Sequence, residues 1–187
     1  YQSDQMTIIA GDVYRLEPIT DPPPMPTITP QSTATPTLAP SPTPIVSSEL
    51  LLNPGFEIDD NNDGRPDNWT TNNKFTRNTT SVHSGSYSGR HYSRSNAGYN
   101  INQTVGNIIG NASYSFSAWT NIPVTTDSFT YKLQLRWRDS NGNIIRTDTV
   151  KTYSIATVGW DQAALTIVSP SNASSVVVRM LISNLKA

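Results

Sequence analysis

The chain has 187 residues, with 13 Lys and Arg against 14 Asp and Glu, two His and no Cys. That length allows one domain or a domain with an appendage. The near-neutral charge gives no electrostatic grip on nucleic acid or anionic lipid, and the missing cysteines exclude a disulfide scaffold and a thiolate metal site.

Residues 6–16, MTIIAGDVYRL, are rich in β-formers and read as a single strand, which cannot bury a face alone. With Tyr1 first instead of Met, 1–17 is expected to be a strand from the end of a preceding domain, and the chain a piece of a longer protein. Residues 18–48 form a Pro/Thr/Ser-rich linker: nine of the fourteen prolines fall between Pro22 and Ser48 with no charged residue among them. Each proline removes a donor and fixes φ, so an extended, disordered tether is expected, reaching on the order of 80 Å.

Residues 49–187 have the short alternating runs and Gly/Asn/Pro/Ser turns of an all-β domain. Strands are predicted at 50–53, 74–78, 87–92, 99–105, 113–121, 130–139, 143–152, 162–167 and 175–182, with Asp139-Ser-Asn141-Gly142 turning a hairpin. Nine strands over this length fit a jelly-roll β-sandwich. No run is long enough to span a membrane. Abundant Ser, Thr and Asn, with sequons beginning at Asn68, Asn78, Asn102, Asn111 and Asn172, suit an extracellular or cell-surface location.

The stretch LLNPGFEIDDNNDGRPDNW holds Asp59-x-Asn61-x-Asp63-Gly64-x-x-Asp67. Oxygen side chains at alternate positions, with a glycine for the bend, are the ligand type and spacing that wrap a hard cation, and calcium is the expected ion. Thr70 stands where an EF-hand would place its bidentate acid, so a helix-flanked EF-hand is not expected. A solvated Asx-rich turn is the bland alternative.

Several motifs then occur in order: Asn53-Pro-Gly-Phe-Glu57, Asp67-Asn-Trp69, His83-Ser-Gly-Ser-Tyr-Ser88, Gln103-Thr-Val105, Tyr114-Ser-Phe-Ser-Ala-Trp119 and Gly159-Trp160. In this order they resemble carbohydrate-binding modules of the family 4/9 type, jelly rolls appended to secreted glycoside hydrolases, over residues 49–187. The resemblance implies that Glu57 helps hold a structural calcium together with an aspartate of a final strand. The sequence stops at Ala187, where that strand should start, so the module is expected to lack it. Ile8-Ile-Ala-Gly-Asp12-Val-Tyr14 looks like such a closing strand, left over from a preceding module or folded back into the vacant edge.

A sugar site needs a flat aromatic face and planar polar groups. Alternation puts Tyr114, Phe116 and Ala118 inward and Trp119 outward; Tyr131, Leu133, Leu135 and Trp137 are core, with Gln134 and Arg136 opposite; Arg179 is outward. If these strands share a sheet, Trp119, Gln134, Arg136 and Arg179 line a cleft with Tyr92 and Tyr99 as rims. Trp69, Trp160, His83 and His91 read as structural. Carboxylates are too scarce on the strands for a hydrolytic pair, so no catalysis is expected. The expected role is targeting of a tethered secreted enzyme or surface protein to polysaccharide, without nucleic acid or membrane insertion; the alternative is a structural or adhesive spacer with no glycan site.

Overall fold

The computed structural model describes residues 6–10, 15–19, 49–93 and 96–186. Ten strands run through them: β1 (Met6–Ala10), β2 (Arg15–Pro18), β3 (Phe75–Asn78), β4 (Ser88–Ser93), β5 (Tyr99–Val105), β6 (Ser113–Asn121), β7 (Ser128–Arg138), β8 (Ile144–Tyr153), β9 (Trp160–Val168) and β10 (Ser175–Lys186). The result is an all-β sandwich of two antiparallel sheets, with no helix among the described residues. One sheet runs β2-β6-β1-β4-β3 with β9 on the other flank of β6, and the second runs β5-β10-β7-β8.

Period-two patterning makes both layers. Along β6 half-exposed and buried residues alternate without a break, which turns Tyr114, Phe116 and Ala118 inward. Tyr131, Leu133, Leu135 and Trp137 of β7 and Val176, Val178, Met180 and Ile182 of β10 face them from the second sheet. Trp137 is wholly buried, as its alternation predicts, and its indole N–H donates to Asp148 Oδ2 at 2.7 Å. Burying each of these large apolar side chains contributes about 1.5–3 kcal/mol.

Two expectations change. Residues 50–53 form no strand, and 51–53 are bends. Pro54 cannot donate to a ladder, and Asn53 and Phe56 adopt φ of 50° and 62°, a conformation that breaks an extended run. Residues 6–16 divide into two strands, both antiparallel to β6. Ile9 and Ala10 of β1 pair with Asn121 and Thr120, while β1 pairs with β4 from Met6↔Ser93 to Ala10↔Gly89. β2 pairs with the other half of β6, from Arg15↔Ser117 to Pro18↔Tyr114. Thus β1 lies inside the sheet, and Leu16 is wholly buried in the core.

Of the expected linker 18–48, Pro18 ends β2 and the Ile19 amide donates to the Ser113 carbonyl at 2.7 Å, while 20–48 lies outside the described residues; the residues flanking that part are neighbours. The Leu50 amide donates to the Leu16 carbonyl at 3.1 Å, and Glu49 Oε1 accepts from the amides of Leu16 and Leu51 at 3.1 and 2.8 Å. Glu49 and Leu50 are therefore fastened beside β2.

Candidate functional site

The outer face of the six-stranded sheet carries a group of half-buried aromatic side chains. Trp119 on β6 and Trp160 at the start of β9 sit on neighbouring strands, through Trp119↔Gln162 and Asn121↔Trp160, so both indoles point outward. The 79–87 connection brings His83 over them. Its ring stacks on Trp119 at a centroid distance of 4.3 Å and 21°, and meets Trp160 edge-on at 5.3 Å. All three are half-buried. Trp119 is thus projected outward as alternation predicts, with one indole face covered by His83, while Trp160 and His83, read from the sequence as a packing anchor and a structural histidine, pack on the outer surface and stay half-buried.

Beyond Trp160 the face turns into a groove of about 550 Å³ lined by Lys151, Tyr153, Ile155, Val158, Trp160 and Asp161. Asp161 Oδ2 accepts from Lys151 Nζ at 2.6 Å and from the Tyr153 hydroxyl at 2.7 Å, tying β8 of one sheet to β9 of the other. Burial pushes the Asp161 carboxyl up, but these two hydrogen bonds outweigh it and hold the group below its ordinary value. Burial pushes the Tyr153 hydroxyl up, and the adjoining Asp161 carboxylate adds to it.

Tyr92 lies on the same outer face, across β1, with the Arg90 guanidinium 5.1 Å from its ring centre. The register runs from Trp160 and Asn121 across β1 to Arg90, four strands or roughly 14 Å at ~4.8 Å per strand. Tyr99 does not join it. Its partner across the ladder is the buried Ile182, and its hydroxyl donates to the Lys74 carbonyl at 3.0 Å and shares a hydrogen bond with His91 Nδ1. A residue at the inward position of β5 cannot form a rim. Burial, with the Lys74 charge second, drives the His91 ring down to about 3 and so keeps it neutral.

Gln134, Arg136 and Arg179 sit on β7 and β10 of the four-stranded sheet. Their outward positions lie on the opposite side of the sandwich from Trp119, so no single cleft unites them. Gln134 Nε2 donates to Thr149 Oγ1 at 3.0 Å while its Oε1 accepts from Arg179 Nε at 3.2 Å.

In the acidic loop, Asp59 Oδ1 and Asn61 Oδ1 accept from the same Asp63 amide at 3.1 and 2.9 Å, which brings them to one side of the turn. Asp59 Oδ2 accepts from Gly64 N at 3.1 Å and from Arg77 Nη1 at 3.3 Å. Asp63 holds Arg65 through its backbone and side chain, and Asp67 Oδ2 accepts from Asp60 N at 2.8 Å. Glu57 faces elsewhere: its Oε1 accepts from the amides of Ser86 and Tyr87 at 2.9 and 3.1 Å. Among the described residues no three His, Cys, Asp or Glu side chains stand as a metal-holding group. The side-chain oxygens of Asp59, Asn61, Asp63 and Asp67 accept instead from loop amides and from the guanidinium groups of Arg65 and Arg77.

Asn53 organises this loop, a role the sequence does not announce. Its Nδ2 donates to the carbonyls of Ile58 and Asp67 at 2.9 and 2.8 Å, and its Oδ1 accepts from the Ile58 amide at 2.9 Å. Its own carbonyl accepts from the Trp69 indole at 3.0 Å. Gln103 works likewise on β5, donating to the carbonyls of Leu52 and Asn68 and accepting from the Leu52 amide. Asn53→Ala removes three hydrogen bonds to part-buried backbone groups, of which the Ile58 carbonyl still accepts from the Asp67 amide, so a loss of about 1–3 kcal/mol is expected. Urea denaturation measures it; a loss below about 0.5 kcal/mol, the level of an ordinary surface substitution, would remove Asn53 from this role.

No protein-family model matches the sequence, and no curated protein matches it. Solved structures do. The enzymatically active domain of bacteriophage CBA120 tailspike protein 4 is 19% identical with a TM-score of 0.49; the match covers 65% of this chain and 18% of that one. The CBM22-1 xylan-binding domain of Paenibacillus barcinonensis Xyn10C is 15% identical with a TM-score of 0.48, covering 66% of this chain and 86% of that one. The C-terminal family 22 carbohydrate binding module of Clostridium thermocellum Xyn10B is 18% identical with a TM-score of 0.45, over 66% of this chain and 87% of that one.

Two signals could have found Trp160. It follows Gly159, which adopts φ of 75° and ends the preceding turn, so a strand can begin at once. It also keeps the same parity as the exposed Gln162 and Ala164, which marks it as outward.

Proposed function

We propose that this chain is a non-catalytic polysaccharide-binding module whose sugar platform is the outer face of the six-stranded sheet. The observation that carries the reading is the juxtaposition of Trp119, Trp160 and His83 on one solvent-facing surface that opens into the groove at Trp160. Half-buried, pre-packed indoles on an outer face offer the apolar face of a pyranose a flat surface, and Asn121, Arg90, Lys151 and Asp161 supply donors and acceptors for its hydroxyls. Contact of this kind is weak and reversible, and it serves to raise the local concentration of substrate for whatever is tethered to the module, an extracellular glycoside hydrolase or a surface protein. Electrophoresis through gels containing xylan, mixed-linkage β-glucan or mannan tests it. Retardation in at least one gel is expected, and equal mobility in all of them would leave the spacer reading.

The reading includes a structural calcium in the acidic loop, held by Asp59, Asn61, Asp63 and Asp67. Glu57 fastens the 79–87 connection instead, through Ser86 and Tyr87. A ligand that binds the folded chain alone stabilises it by mass action, about 2.7 kcal/mol at a hundred times its Kd. Calcium is therefore expected to raise the melting temperature by roughly 5–10 °C, and Asp63→Ala to cancel the rise. A melting temperature indifferent to calcium and to chelator removes the ion from the proposal.

A further inference from the structure

The second sheet carries a charge pattern that the net charge conceals. Five of the fourteen acids lie between Glu57 and Asp67. The outward positions of β7 and β10 instead hold Lys132, Arg136, Arg138 and Arg179, and no Asp or Glu is interleaved with them. Nor does the flanking ladder bring one: Asn100, Asn102 and Thr104 of β5 and Thr147, Thr149 and Thr152 of β8 lie opposite these strands. Among the described residues no carboxylate forms an ion pair with any of the four cations. Arg138 Nε is buried without a hydrogen-bond partner, and Arg136 stands close enough to disfavour the charge on Arg179, adding to the effect of burial.

From this we infer that the outer face of the four-stranded sheet binds an anionic polysaccharide, through the line of cations Lys132, Arg136 and Arg138 with Arg179 beside it. Lys132 and Arg138 stand six residues apart on one strand, roughly 20 Å at ~3.4 Å per residue, so a small anion would engage one cation and a chain of repeating carboxylates several. The amide and hydroxyl side chains between the cations suit sugar hydroxyls. No aromatic side chain occupies an outward position on these strands, which removes the base-stacking surface that single-stranded nucleic acid uses. This face is independent of the tryptophan platform and takes a different class of glycan.

Titration of the full chain with polygalacturonate at low ionic strength, against the same polymer fully methyl-esterified, tests the inference. Binding of the acid form alone is expected, weakening about tenfold or more between 50 and 500 mM salt as screening shortens the reach of the charges. Lys132→Gln combined with Arg136→Gln is expected to lower the affinity at least about tenfold with the melting temperature kept, since among the described residues neither side chain holds an ion pair. Equal binding of the esterified polymer, an unchanged affinity in the double variant, or tighter binding of oligothymidylate would overturn it. A chain that binds polygalacturonate but no neutral glycan upholds this site and removes the tryptophan platform; the converse result does the reverse.

Discussion

Removal of residues 1–19 is expected to abolish cooperative unfolding of the remaining chain. Among the described residues β1 alone joins β4 to β6, so without it the six-stranded sheet falls into two pieces, β6 with β9 and β4 with β3. Each piece then exposes unpaired backbone edges, and the core loses Leu16. A milder form is Leu16→Ala, which deletes a wholly buried side chain and should cost about 2–5 kcal/mol, or roughly 4–20 °C of melting temperature. Cleavage within 20–48 should be harmless by contrast, because the N-terminal strands are held by their ladders and by Glu49. Calorimetry of 49–187 alone, and of the nicked chain, distinguishes these outcomes. A truncated chain melting sharply within a few degrees of the whole would show that the N-terminal strands are dispensable.

The second large effect concerns binding. Trp119→Ala removes the indole on which His83 stacks, and Trp160→Ala removes the one shared by the platform and the groove. Buried anchor tryptophans in binding surfaces commonly contribute 2 kcal/mol or more, so each substitution is expected to weaken neutral-glycan binding at least about thirtyfold. Both side chains are half-exposed on the outside of the sheet, so the melting temperature should fall by only a few degrees. His83→Ala separates two roles for the imidazole. Weaker binding would make His83 part of the sugar surface, and stronger binding would mean that it covers an indole face the sugar needs.

Strand alternation is local, and it set out most of what is local here. The spacing in 113–121 and 99–105 reproduced β6 and β5 residue for residue; alternation turned Trp119 outward in the first and, along the predicted 130–139 strand, Trp137 inward. Which sheet a strand joins is set by long-range pairing, on which a period of two is silent. Trp119 and Arg179 therefore looked like neighbours, yet they lie on opposite faces of the sandwich. The same blindness hid β1: nothing in MTIIA names β4 and β6 as its partners across the proline-rich segment. Residues 50–53 misled for a different reason. Their apolar run looks extended, but the buried Asn53 needs a positive φ to reach Ile58 and Asp67. Tyr99 and Tyr92 differ only in parity, one inward on β5 and one outward on β4, and their registers follow from ladders that no sequence window contains.

The four tryptophans make the decisive measurement available in one spectrum. The indole N–H groups of Trp69 and Trp137 are held inside by Asn53 and Asp148, whereas those of Trp119 and Trp160 belong to the outer surface. In a titration of the 15N-labelled chain with xylo-, cello- and manno-oligosaccharides, followed through the indole resonances, Trp119 and Trp160 should shift together in at least one series while Trp69 and Trp137 stay in place. Shifts that leave both outer indoles unmoved in every series would contradict a sugar platform on the six-stranded sheet.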